Sequence, residues 1–183
     1  MNDTIKSIAT IMKDLDGILL FPHINMDGDA LGSCTALCLA LRSMGKKAYV
    51  MINEPVPKNL DFLECGCCTD DDSLLDDVQL SLMVDCNGIN RITGREKAWE
   101  RGRLKGCIDH HATKAKEIRY DFARIEPKAA AAATLPSQCG RDTPRNGPMP
   151  DTKSGRRRHS SAPPAGPALS KDRCGPRRRC SRK

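Results

Sequence analysis

Aromatic side chains are scarce in this sequence. Phe, Trp and Tyr make up 3% of the 183 residues, and Trp99 is the single tryptophan, so any interior must rest on Leu, Ile, Val, Met and Ala. No apolar run approaches the roughly 18–20 residues needed to span a bilayer, so no membrane partner is expected. Met1 to Asp16 carries acidic residues and lacks the long apolar centre of a secretory signal, which points to a cytoplasmic protein. The ten cysteines are scattered. Cys65-Gly66-Cys67-Cys68 has no second ligand pair at zinc-knuckle spacing. Several others fall inside apolar stretches, where a thiol behaves as a small hydrophobe, and reduced thiols are expected. The acidic stretch of Asp70, Asp71, Asp72, Asp76 and Asp77 lacks the turn glycine and late glutamate of a calcium loop, which leaves a solvated segment.

The formal charge of +7 hides a division. Residues 1–134 hold 17 Lys and Arg against 20 Asp and Glu, a net of −3, whereas residues 135–183 hold 13 against 3, a net of +10. A mildly acidic body therefore carries a strongly basic tail.

Within the body, short apolar runs alternate with helical patterns. Ile5, Ile8, Ile11, Met12 and Leu15 have the spacing of an amphipathic helix. Gly17–His23 reads as a buried strand, and Ala30–Met44 as a helix closed by Gly45. Lys47–Ile52, Leu80–Val84 and Leu104–Ile108 are further strands, Asn59–Leu63 a short helix, and Thr93–Gly102 a helix in which Trp99 packs. The alternation predicts an α/β fold with a mainly parallel sheet flanked by helices. From about Thr134, Gly, Pro, Ser and Arg take over. Such a composition cannot bury enough apolar surface to offset its ordering entropy, and a disordered basic tail is expected over 135–183.

Three patches of metal-ligating side chains stand out, each just after a predicted strand. The first is His23, Asp27 and Asp29; the second is Asp85; the third is Asp109, His110 and His111. Taken singly, each has an ordinary reading as a helix cap, a strand-end carboxylate or a chance tripeptide. At the ends of successive strands they would converge, because ligands of open α/β sheets gather beyond the carboxyl ends of the strands. Clustered carboxylates repel one another without a cation, and carboxylate with imidazole suits manganese, zinc or iron better than calcium. Two divalent ions about 3.5–4 Å apart could relieve that repulsion and support phosphoryl transfer. Gly28 and Gly32 would let the backbone turn tightly there, and the following helix would direct its positive end to the same place.

The string His23-Ile24-Asn25-Met26-Asp27-Gly28-Asp29-Ala30-Leu31-Gly32-Ser33 resembles the first motif of the DHH phosphoesterase superfamily. Val84-Asp85-Cys86 with Arg91 resembles the second, and Ile108-Asp109-His110-His111 the third. The spacing is most similar to the branch of nano-RNases and pAp phosphatases, bifunctional oligoribonucleases, over roughly residues 5–134. The resemblance implies two Mn2+ ions. His23 and Asp27 would hold one and Asp29 and His110 the other, with Asp85 bridging them. Asp109 would orient an imidazole, and His111 would lie near the scissile phosphate. Gly28, Ser33 and Arg91 would meet the substrate. It also implies hydrolysis of a small nucleotide or short oligonucleotide: oligoribonucleotides, 3′-phosphoadenosine 5′-phosphate (pAp), or cyclic and linear dinucleotides. An oligomer is compatible with it.

Beyond Leu135 the resemblance stops, where the family continues with a fourth aspartate-bearing motif and a smaller substrate-binding domain. The sequence therefore reads as an incomplete DHH domain over 1–134 and an unrelated tail with the composition of out-of-frame translation. Activity without the missing parts is open. A second reading makes the chain a non-specific nucleic-acid-binding protein through its arginines. A third makes it a zinc-structured interaction module built on the cysteines.

Overall fold

The computed structural model describes residues 2–112 and 118–132. The expectations for residues 135–183, their disorder and their contact with nucleic acid, lie outside the described residues.

Six strands form one parallel sheet: β1 Ile18–Phe21, β2 Ala48–Met51, β3 Cys68–Thr69, β4 Leu80–Val84, β5 Leu104–Asp109 and β6 Phe122–Ile125, in the order β3-β2-β1-β4-β5-β6. The central strands β1 and β4 are buried at every position, the continuous apolar pattern of a sheet covered on both faces. Alternate residues divide between two cores. Ile18, Leu20, Val50, Leu80, Leu82, Val84 and Ile108 pack with Ile8 and Met12 of α1 (Ile5–Asp14) and with Cys34, Leu37, Cys38 and Leu41 of α2 (Gly28–Ser43). Leu19, Phe21, Met51, Met83 and Cys107 pack with Ala98 and Trp99 of α3 (Glu96–Glu100). The T-shaped contact of Trp99 with Phe21, ring centroids 5.5 Å apart, anchors this second layer.

Local chemistry fixes the element ends. Thr4 caps α1, its Oγ1 accepting from Ser7 N at 3.1 Å. Gly17 enters β1 at φ +61°, and a Cβ there would lie 2.1 Å from the Asp77 carbonyl oxygen, so only glycine fits. Asn2 and Asp3 bind the outer edge of β6. Asp3 N donates to Ala123 O at 2.8 Å, Ala123 N to Asp3 Oδ2 at 2.9 Å, and Ile125 N to Asn2 Oδ1 at 2.9 Å. The polar groups of an edge strand are thereby occupied by the chain's own N-terminus. The predicted helix over Thr93–Gly102 is shorter, Glu96–Glu100, because a 3-10 turn at Ile89–Arg91 and the positive-φ Gly94 precede it. Among the described residues no helix is long and apolar enough to cross a membrane.

Candidate metal centre

The strand order reverses direction between β1 and β4, which leaves a crevice beyond their carboxyl ends. His23 follows β1, Asp85 follows β4, Asp109 ends β5, and His110 and His111 follow it. Asp27 and Asp29 enter at the start of α2, the helix that leaves the β1 loop. Residues from the three sequence patches thus meet at one edge of the sheet.

Asp85 lies at the middle of this edge. Its Oδ2 is 3.9 Å from His23 Nε2, and its Oδ1 is 3.2 Å from His110 Nε2 and 3.6 Å from His111 Nδ1. Two groups of ligand atoms share it: His23, Asp27 and Asp85, and Asp85, His110 and His111, each with its atoms within 4.8 Å of one another. Asp29 belongs to neither group but places Oδ2 3.7 Å from His110 Nε2. The imidazoles are oriented by backbone. His23 Nδ1 lies 2.7 Å from Ile24 O and His110 Nδ1 3.3 Å from Ala129 O. A carbonyl oxygen only accepts, so each Nδ1 carries a proton and each Nε2 faces the carboxylates.

The carboxylates differ in their surroundings. Asp27 caps α2, its Oδ1 accepting from Asp29 N at 2.9 Å and Ala30 N at 3.0 Å. The hydrogen bond from Ala30 N is the main reason its carboxyl sits below the usual aspartate range. The positive end of α2 is therefore engaged by Asp27 itself. Asp29 accepts from Ser33 Oγ at 3.2 Å and from Ala132 N at 2.8 Å. Asp85 is 2% exposed, and burial, with a further contribution from the Asp29 carboxylate, pushes it up to about 6. Its Oδ1 is buried without a hydrogen-bond partner among the described residues, and its backbone sits at φ +56°. A buried carboxylate oxygen with imidazole nitrogens beside it and another carboxylate nearby is a donor set suited to a divalent cation.

Asp109 is fully buried. Its Oδ1 lies 2.7 Å from His111 Nδ1 and its Oδ2 accepts from Asn87 Nδ2 at 2.6 Å. The imidazole that it orients is thus His111, whereas His110 is held by Ala129. The hydrogen bond to Asp109 raises the pKa of His111.

The expected substrate residues fare differently. Gly28 is exposed at the start of α2, where an added Cβ would meet only Leu60 Cδ2 at 3.9 Å, so sterics do not demand glycine. Arg91 is exposed, near enough to oppose protonation of His111, and its carbonyl accepts from Ile24 N at 2.7 Å, tying the β4 loop to the β1 loop. Ser33 departs from the expectation of substrate contact. It is fully buried, and its hydroxyl is given to Asp29, so it fixes a carboxylate from behind. Sequence reasoning missed Asn87, Ala129 and Ala132. The last two act through backbone atoms and carry no signal of residue type. Asn87 could have been noticed as a polar side chain two positions after Asp85.

Residues 17–144 match the DHH family, N-terminal domain. The bifunctional oligoribonuclease and PAP phosphatase NrnA of Thermus thermophilus is 35% identical over 54 residues, which are 29% of this chain and 17% of that protein. An exopolyphosphatase-related protein from Bacteroides fragilis superposes with a TM-score of 0.65 at 21% identity, over 74% of this chain and 42% of the other, and shares the fold. The exonuclease RecJ bound to manganese gives a TM-score of 0.48 at 17% identity, over 76% and 37% of the two chains. The chain spans less than half the length of each of these proteins.

Proposed function

Since this chain belongs to the DHH family, whose members are phosphoesterases, we propose that it holds two divalent cations, manganese by preference, and hydrolyses phosphoesters of small nucleotides. The substrates are short oligoribonucleotides, pAp or dinucleotides. The printed name of the Thermus relative and the motif resemblance of residues 23–33, 84–91 and 108–111 support that class. The observation that carries the reading is Asp85, a buried carboxylate with one oxygen lacking a hydrogen-bond partner among the described residues, its Oδ2 3.9 Å from His23 Nε2 and its Oδ1 3.2 Å from His110 Nε2.

In this reading His23 and Asp27 hold one ion, Asp29 and His110 the other, and Asp85 both. When bound, such a pair supplies an activated water and neutralises charge on phosphoryl oxygens. The chain's own residues do the rest. Ile24 O and Ala129 O keep His23 and His110 in one tautomer. Ser33 and Ala132 N hold the Asp29 carboxylate in place. His111, its Nδ1 proton held by Asp109, donates from Nε2 to a phosphoryl oxygen of the substrate when the ring is protonated, the form that Asp109 favours. Arg91 adds positive charge on the same side, and the exposed backbone at Gly28 is open to the substrate.

The test is hydrolysis of a short oligoribonucleotide and of pAp by the full chain with added Mn2+, beside an Asp85→Ala control. Hydrolysis by the chain that is lost in the control is the expected outcome. A soluble folded chain that cleaves neither substrate contradicts the reading.

A further inference from the structure

We propose that Asn87 is a positioning residue, fixing the ring of His111 through Asp109. The inference rests on the reading of His111 as the group that meets the phosphoryl oxygen, and deepens it by naming what holds that ring.

The two oxygens of Asp109 are divided between two loops. Oδ1 meets His111 Nδ1 at 2.7 Å, two residues along its own chain, and Oδ2 meets Asn87 Nδ2 at 2.6 Å, from the loop after β4. A carboxylate only accepts, so the atom of the Asn87 amide facing it is the NH2 nitrogen, and the imidazole must carry its proton on Nδ1. Asp109 is fully buried with Asn87 in place, so an apolar substitute of the same size leaves Oδ2 without that donor. Without Asn87 the carboxylate is free to rotate about its Cβ–Cγ bond, and the ring loses its fixed acceptor. His111 needs this support more than its neighbours. Its side chain is 47% exposed, against 8% for His23 and 24% for His110, and among the described residues no backbone carbonyl orients it as Ile24 O and Ala129 O orient the others. Asn87 is half-buried and its Nδ2 is given to Asp109, so its contribution is to geometry.

The experiment uses the full chain, free of metal, at a pH where the ring is neutral. Imidazole tautomers are read by nitrogen-edited NMR, with His111 assigned by its absence in His111→Gln. In the wild type His111 is expected as the Nδ1–H tautomer. In Asn87→Leu, which keeps the size and removes the donor, and in Asn87→Ala, it becomes a mixture with Nε2–H, while His23 and His110 do not change. Mn2+ affinity stays within about threefold of wild type, since no ligand is touched, and kcat on the cleaved nucleotide falls about 10–100-fold with KM little changed. An Nε2–H tautomer in the wild type overturns the proposal whatever the variants do, and so does an unchanged tautomer in a folded variant. If the tautomers respond as expected but the wild type cleaves nothing, the link from Asn87 to His111 stands and the phosphoesterase reading falls.

Discussion

Asp85 combines features that ordinarily disfavour a folded state. Its backbone is left-handed, its side chain is buried, one oxygen has no hydrogen-bond partner among the described residues, and a second carboxylate stands near it. Non-glycine residues persist at positive φ where the surroundings over-determine them, often at functional sites. The raised carboxyl gives a definite sign. In the unfolded chain the group ionises near 3.8, and in the folded metal-free chain near 6. Stability is therefore fully present below pH 3.8 and falls as pH rises through about 6, by roughly 2–3 kcal/mol. His111, raised by Asp109, has the same sign at higher pH, its contribution being lost as the folded ring deprotonates. Thermal unfolding in chelator from pH 4 to 7 should show this decline, and Asp85→Asn should flatten it. A metal-free wild type that gains stability steadily over that window contradicts the assignment. The candidate ligands were legible in the sequence because carboxylates and histidines recur just after three successive predicted strands. The ring that Asp109 orients was not, since a motif gives the order of residues and not which side chain turns toward which.

Among the elements, β5 and β6 show what periodicity could and could not give. Leu104–Asp109 was visible as an apolar run, but Phe122–Ile125 is four residues with Arg124 inside, and Cys68–Thr69 is two, too short for a pattern of period two to register. What secures β6 is contact. Gly106 pairs with Phe122, and a Cβ at Gly106 would lie 2.5 Å from the Phe122 ring. Gly106→Ala should therefore destabilise the chain by about 1–3 kcal/mol through overpacking. It should also weaken Mn2+ binding, because His110 and Ala129, joined across the β5 and β6 ends, would shift. Chemical denaturation and metal titration of this variant check both; wild-type values for both would show that the pairing is loose. At the other end of the order, Thr4→Ala removes the cap of α1 at a cost of about 1 kcal/mol and should leave metal binding untouched.

For the described body as a whole, the two cores explain why so few aromatics suffice. Trp99 fills one face, 1% exposed and edge-on to Phe21 and to Tyr120 at 6.3 Å, and aliphatic residues and thiols, with Phe122, fill the other. The expectation of reduced cysteines agrees with seven free thiols among the described residues, of which Cys34, Cys38, Cys67, Cys86 and Cys107 are buried and Cys65 is exposed. Burial pushes the thiol of Cys38 up to about 12 and that of Cys86 up to about 11. Site-resolved alkylation at neutral pH should thus label Cys65 first and reach the buried sulfurs only on unfolding; early labelling of Cys34 or Cys107 would show that the core opens. Parallel topology followed from the alternation of elements, whereas the reversal between β1 and β4, which gathers the ligands, could be seen only in three dimensions.

In the proposed function the carboxyl ends of β1, β4 and β5 form one centre for two cations around Asp85. Calorimetric titration of the chelator-treated full chain with Mn2+ tests it most directly, with Asp85→Ala in parallel. Two ions per wild-type chain, both lost or greatly weakened by that one substitution, is the predicted result. A folded wild type that binds no Mn2+, or an Asp85→Ala chain that binds it as the wild type does, contradicts the account.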